Sequence, residues 1–182
     1  MEQEEWQDYE INPIKTKNIR KTFKNKTKMI MLSEGQKAPD FELEDQEGRK
    51  VKLSGFKGKK VILYFYPKDD TSGCTIEACN FRDNLSKLKG RNTEVLGISN
   101  DDRFSHEKFS KKFNLPFALL CDTEKTVSKA YGVYEKKNFM GKEYMGITRS
   151  TFIIDEKGRI KNIFYKVHPE KHMEELFEAL AK

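Results

Sequence analysis

Two cysteines five positions apart, Cys74 and Cys79, follow the apolar run Val61-Ile62-Leu63-Tyr64-Phe65-Tyr66 and the polar loop Pro67-Lys68-Asp69-Asp70-Thr71-Ser72-Gly73. That arrangement points to redox chemistry. A run of β-branched and aromatic residues ending at Pro, Asp and Gly reads as a buried strand entering a turn, and the residues after the turn have helical character. Cys74 therefore falls at a helix N-terminus, where unpaired N–H groups and the positive end of the macrodipole favour a thiolate. Ser72 is the expected N-cap and Glu77 a first-turn carboxylate, while Ile76, Cys79, Leu85 and Leu88 trace the inward stripe of a helix expected from Gly73 to Lys89.

Ionisation alone does not make an enzyme. Lowering a thiol pKa from ~8.5 to ~6 raises its ionised fraction at neutral pH only about thirtyfold and blunts its nucleophilicity, whereas a dedicated catalyst needs ~10⁶-fold or more. Donors placed where charge develops must supply the rest; Thr71 and a nearby cation are the groups to look for. In a regular helix, residues five apart have Cα atoms roughly 8.6 Å from each other, beyond the ~7 Å that a disulfide spans. If Cys74 and Cys79 bond, the first turns of this helix must unwind.

Pro67, Thr71 and Cys74 spell Pro-x-x-x-Thr-x-x-Cys, and Arg149 directly precedes Ser150-Thr151-Phe152-Ile153-Ile154-Asp155. On these residues and Cys79 the chain resembles a peroxiredoxin of the bacterioferritin comigratory protein or peroxiredoxin Q type, along nearly everything from Met31 to Lys182. The resemblance implies an α/β, thioredoxin-like fold with a central mixed β-sheet flanked by helices. It implies that Cys74 attacks the O–O bond of hydrogen peroxide or an alkyl hydroperoxide, releasing water or an alcohol and becoming a sulfenic acid. Cys79 would then condense with it, and a sulfenic acid beside a thiol ends as a disulfide rather than a sulfinic acid. By the same resemblance Thr71 would hydrogen-bond peroxide and thiolate, Arg149 would stabilise the thiolate and the departing oxygen, Pro67 would shield the site from water, and Glu77 would help orient Arg149. Thioredoxin or a similar dithiol protein would return the disulfide to thiols, without metal, flavin or haem, and the chain would be a monomer. Two positions depart from the family: Ser72 stands where many members have proline, and Cys121 where a small residue is usual.

Two other readings of the cysteines remain open. A protein-disulfide oxidoreductase of the same fold is disfavoured by Cys-x4-Cys, since dithiol exchangers hold the pair as Cys-x-x-Cys. A non-catalytic peroxide sensor would pass its oxidation to a partner. Cys121, beside an apolar strand, reads as a small buried hydrophobe. His168 and His172, four apart, supply too few ligands for a metal site.

With 182 residues, 35% charged and 36% hydrophobic, the chain suits one globular domain, and no apolar run is long enough to span a bilayer. A soluble, cytoplasmic protein is expected. Of the net charge of +6, residues 1–30 carry seven Lys or Arg against five acids, leaving +4 for the other 152 residues. So modest a charge, with no zinc signature, basic heptad or RNA-binding aromatics, argues against nucleic acid. The acidic block Glu2 to Glu10 and basic block Lys15 to Lys28 predict a disordered extension over residues 1–31, ahead of a peroxidase domain at 32–182. Within that domain, short strands flank the turn Gln46-Glu47-Gly48. Longer strands are expected at Val61–Tyr66, Glu94–Ser99, Phe117–Leu120, Thr151–Ile154 and Ile160–Tyr165, with helices at Arg103–Phe113, Thr123–Tyr131 and from His168 or Pro169 through Leu180.

Overall fold

A computed structural model describes residues 32–181, so the charged extension expected over residues 1–31 lies outside the described residues. The strand β3 (Lys60–Phe65) organises the rest, because its side chains alternate between two cores. Val61, Leu63 and Phe65 enter one, with Phe152, Val127 and Tyr131; Ile62, Tyr64 and the following Tyr66 enter the other, with Phe81, Leu88, Phe109, Ile153 and Leu176. A strand buried on both faces reads as a continuous apolar run, as this one does.

Around it stand β1 (Glu42–Glu44), β2 (Lys50–Lys52), α1 (Ser72–Lys89), β4 (Thr93–Ser99), α2 (Arg103–Phe113), β5 (Ala118–Cys121), α3 (Thr126–Ala130), β6 (Tyr134–Phe139), β7 (Lys142–Ile147), β8 (Ser150–Ile154), β9 (Ile160–Tyr165) and α4 (His172–Ala181). The main sheet has the order β5-β4-β3-β8-β9, parallel between β3, β4 and β5 and antiparallel between β3, β8 and β9. This is the mixed sheet between helices that the sequence predicts. At its centre Gly97 lies opposite Tyr64, and a Cβ there would come within 2.7 Å of the Tyr64 hydroxyl, so only glycine lets the ring lie flat across β4.

The main differences from expectation are one hairpin and two helix starts. The hairpin β6–β7 has no counterpart in the sequence reading; Met140 and Gly141 make its turn with φ of +51° and +78°. Helix α3 begins at Thr126 rather than Thr123, because the buried Asp122 carboxylate accepts from the backbone N–H groups of Val127 and Ser128 at 3.2 and 2.7 Å and acts as its anchor. Helix α4 begins at His172, after a turn in which Lys171 N–H donates to the His168 carbonyl at 3.3 Å.

Candidate active site

The site forms where β3 ends. Strand register places Phe65 opposite Ser150, so Arg149, one residue before β8, arrives beside the loop that leads from β3 to α1. That loop turns through Asp70, whose φ is +55°, and reaches Thr71, the N-cap of α1 with extended φ and ψ of −92° and 152°. The cap is thus Thr71 and not Ser72. The Thr71 hydroxyl donates to the Lys68 carbonyl at 3.1 Å instead of capping the helix, and its side chain, like that of Pro67, is exposed.

From Cys74 the buried face of α1 continues through Ala78, Phe81, Leu85 and Leu88, the spacing of one helical stripe. Cys74 is 1% exposed. Counting from it, Ile76 falls on the opposite face and is exposed, and Cys79 lies half-buried beside the stripe, which corrects the inward positions expected for both. Glu77 is corrected too: it is no first-turn acid stabilising the dipole but a buried carboxylate one turn further on.

Its partner is Arg149. The guanidinium Nη1 donates to Glu77 Oε2, and Nη2 donates to Cys74 Sγ at 3.2 Å. One cation therefore bridges a carboxylate and the sulfur, 72 and 75 positions away in sequence. Glu77 Oε1 has no hydrogen-bond partner, and burial, only partly opposed by Arg149, pushes the Glu77 carboxyl up to about 7. Gly73 keeps the approach open: a Cβ there would lie 3.2 Å from Arg149 Nη2.

Several neighbours were not legible in the chain. Lys137 of β6 donates to the Ile147 carbonyl and its amine is pushed below its ordinary value by burial, with Arg149 and Cys74 close enough to be felt. Asn80 Nδ2 donates to the Pro169 carbonyl at 3.0 Å, tying α1 to the lead-in of α4. A cleft of about 580 Å³ opens beside the first turn of α1, lined by Ser72, Gly73, Ile76, His168, Pro169 and Glu175. His172 is buried, with Nε2 2.8 Å from Thr151 Oγ1 and Nδ1 3.0 Å from Glu175, and burial pushes its imidazole down. The three cysteines are free thiols.

Comparison with known proteins identifies the family. The AhpC/TSA family matches residues 34–163. The chain is 54% identical over 147 residues to a Coxiella burnetii protein named putative peroxiredoxin Bcp, covering 81% of this chain and 97% of that one. It is 49% identical over 146 residues to peroxiredoxin Bcp of Bacillus subtilis, covering 80% and 93%. Among solved structures, the bacterioferritin comigratory protein of Xanthomonas campestris, described as having alkyl peroxide reduction activity, superposes with a TM-score of 0.77 at 31% identity, over 82% of this chain and 98% of that one. Peroxiredoxin Q of Xylella fastidiosa superposes at 0.79 and 30% identity, over 84% and 97%. The fold is thioredoxin-like, and the chain belongs to the AhpC/TSA family, in its Bcp or peroxiredoxin Q branch of peroxiredoxins. It is a thiol-dependent peroxidase, and no helix among the described residues is long and apolar enough to cross a membrane.

Proposed function

We propose that Cys74 is the peroxidatic sulfur and Cys79 the resolving one, with Arg149, Thr71, Pro67 and Glu77 completing the site. The observation that carries this is the guanidinium of Arg149, braced by Glu77 and 3.2 Å from Cys74 Sγ. Ionised Cys74 gives an electron pair to one peroxide oxygen; the O–O bond breaks, the other oxygen leaves with the bonding pair and takes a proton as water or alcohol, and the sulfur keeps a hydroxyl as sulfenic acid. Arg149 is placed to meet negative charge on the sulfur and on the departing oxygen. The Thr71 hydroxyl, its hydrogen engaged by the Lys68 carbonyl, has lone pairs left to accept from the peroxide O–H. Pro67 would limit water at the loop.

Cys79, as thiolate, then attacks the sulfenic sulfur; an S–S bond forms, and hydroxide leaves and becomes water. Both cysteines sit in regular helix, where their Cα atoms are roughly 8.6 Å apart, so the first turns of α1 must open for this step. Thioredoxin or a similar dithiol protein would reduce the disulfide, making this an atypical 2-Cys peroxiredoxin acting on hydrogen peroxide and organic hydroperoxides as a cytoplasmic monomer. Peptide mapping after one equivalent of peroxide tests the cycle: a Cys74–Cys79 linkage is expected, and a bond to Cys121 would overturn it. Amide exchange across residues 72–82 should quicken on oxidation; identical exchange in both redox states would rule out the opening of α1.

A further inference from the structure

Among residues 67–73, the loop that delivers Pro67, Thr71 and Cys74's helix, Asp69 alone is buried. A loop normally anchors itself through an apolar side chain; this one uses a carboxylate that the chemistry above never calls on. Tyr66 Oη donates to Asp69 Oδ1 at 2.7 Å, Ser105 Oγ donates to Oδ2 at 2.7 Å, and His106 Nδ1 stands 2.8 Å from Oδ2. The other ring nitrogen of His106, which is fully buried, lies 3.2 Å from the Leu120 carbonyl of β5. The backbone N–H of Asp69 donates to Asp101 Oδ2 at 2.9 Å, and that oxygen is held in turn by Ser99 Oγ at 2.7 Å. The loop is thereby moored at one point to Tyr66 just after β3, to Asp101 just beyond β4, to α2 and, through His106, to β5. A buried carboxylate is costly unless its oxygens find partners, so these three contacts hold the side chain in one geometry. The neighbouring Asp70–Lys112 pair is exposed on both sides and contributes little.

We infer that Asp69 is a positioning residue, which sets where Pro67 and Thr71 stand relative to Cys74 through its buried bonds to Tyr66, Ser105 and His106. The inference rests on the peroxidase chemistry proposed above and divides the labour within it. Arg149 reaches the sulfur from the residue before β8 and does not depend on the mooring. The loop groups do depend on it, and the Thr71 hydroxyl donates to the Lys68 carbonyl and not to the sulfur. Loosening the mooring should therefore slow the reaction with peroxide and spare a reaction that asks only for a nucleophilic sulfur.

The test uses the full chain with Cys79→Ser and Cys121→Ser, so that Cys74 is the sole thiol, and compares Asp69→Ala, Ser105→Ala and the surface control Lys112→Ala. Stopped-flow oxidation by hydrogen peroxide and alkylation by iodoacetamide are measured on each. The peroxide rate constant should fall about a hundredfold in Asp69→Ala and about tenfold in Ser105→Ala, with alkylation within about twofold and Lys112→Ala changing neither. Peroxide and alkylation rates falling by the same factor, or peroxide rates within about twofold of the parent in both variants, would overturn the inference. If Asp69→Ala does not fold, Ser105→Ala decides alone by the same ratio. A parent no faster with peroxide than a free thiol would instead overturn the peroxidase assignment of Cys74, which keeps the two failures apart.

Discussion

Cys74 and Cys121 are thiols of the same domain with opposite surroundings. Cys74 is almost wholly buried, yet it sits in the first turn of α1 with a guanidinium 3.2 Å from its sulfur. Cys121, the last residue of β5, is more accessible, but burial of its sulfur and then the carboxylates of Glu44, Asp102, Asp69 and Asp45 push its thiol up to about 11. Exposure alone does not distinguish the two sulfurs: a guanidinium stands against Cys74, whereas burial and a set of carboxylates surround Cys121.

The strongest way to break that contrast is to exchange the two cysteines' fates. Cys74→Ser should abolish peroxide consumption in an assay recycled by thioredoxin, and Cys121→Ser should leave it within about twofold, since burial and then nearby acids push the thiol it removes up to about 11. Equal losses would end the distinction. Cys79→Ser should consume one equivalent of peroxide at the parent's rate and then stall as sulfenic acid, which mass spectrometry and trapping with dimedone would detect; continued turnover with thioredoxin alone would show that Cys79 does not resolve.

Arg149→Met sharpens the contrast by removing the charge and keeping much of the volume. The peroxide rate constant should fall about 10²- to 10³-fold, as for loss of a donor aimed at developing charge. A loss below about threefold would mean that the helix N-terminus suffices. The smallest effect concerns stability. Because the folded-state value of Glu77 is raised from 4.5 to about 7, chiefly by burial, the folded chain favours its protonated form. The stability this group contributes is complete below pH 4.5 and is lost as pH rises towards 7, roughly 3 kcal/mol in all. In urea unfolding, the parent should therefore lose stability relative to Glu77→Gln between those pH values and run parallel to it above them. A difference independent of pH would show that Arg149 keeps Glu77 ionised throughout.

The parts of the molecule that were legible in the chain are the local and periodic ones. Val61 to Tyr66 had to be a doubly buried strand, and the residues from Cys74 onwards had to be helix, because each pattern repeats within one element. The hairpin β6–β7 escaped because Lys136, Lys137, Lys142 and Glu143 interrupt any apolar alternation, leaving Met140-Gly141 as its signal. The local reading misplaced Glu77 because a carboxylate near a helix start has a good reason to face solvent, whereas its partner Arg149 stands just before β8, 72 positions away.

By itself, then, the chain determined that a thiol would stand at a helix N-terminus behind a buried strand and a Pro-x-x-x-Thr loop, since backbone preferences and side-chain periodicity act over a few residues. The family resemblance named Arg149 and Glu77; only the tertiary structure showed the guanidinium against that thiol, Glu77 buried behind it, and Asp69 as the loop's buried foothold. Those contacts depend on the pairing of Phe65 with Ser150 and on the packing of α2 against the sheet, and, apart from the bond from Tyr66 to Asp69, they join residues 32 to 75 positions apart that no local pattern relates.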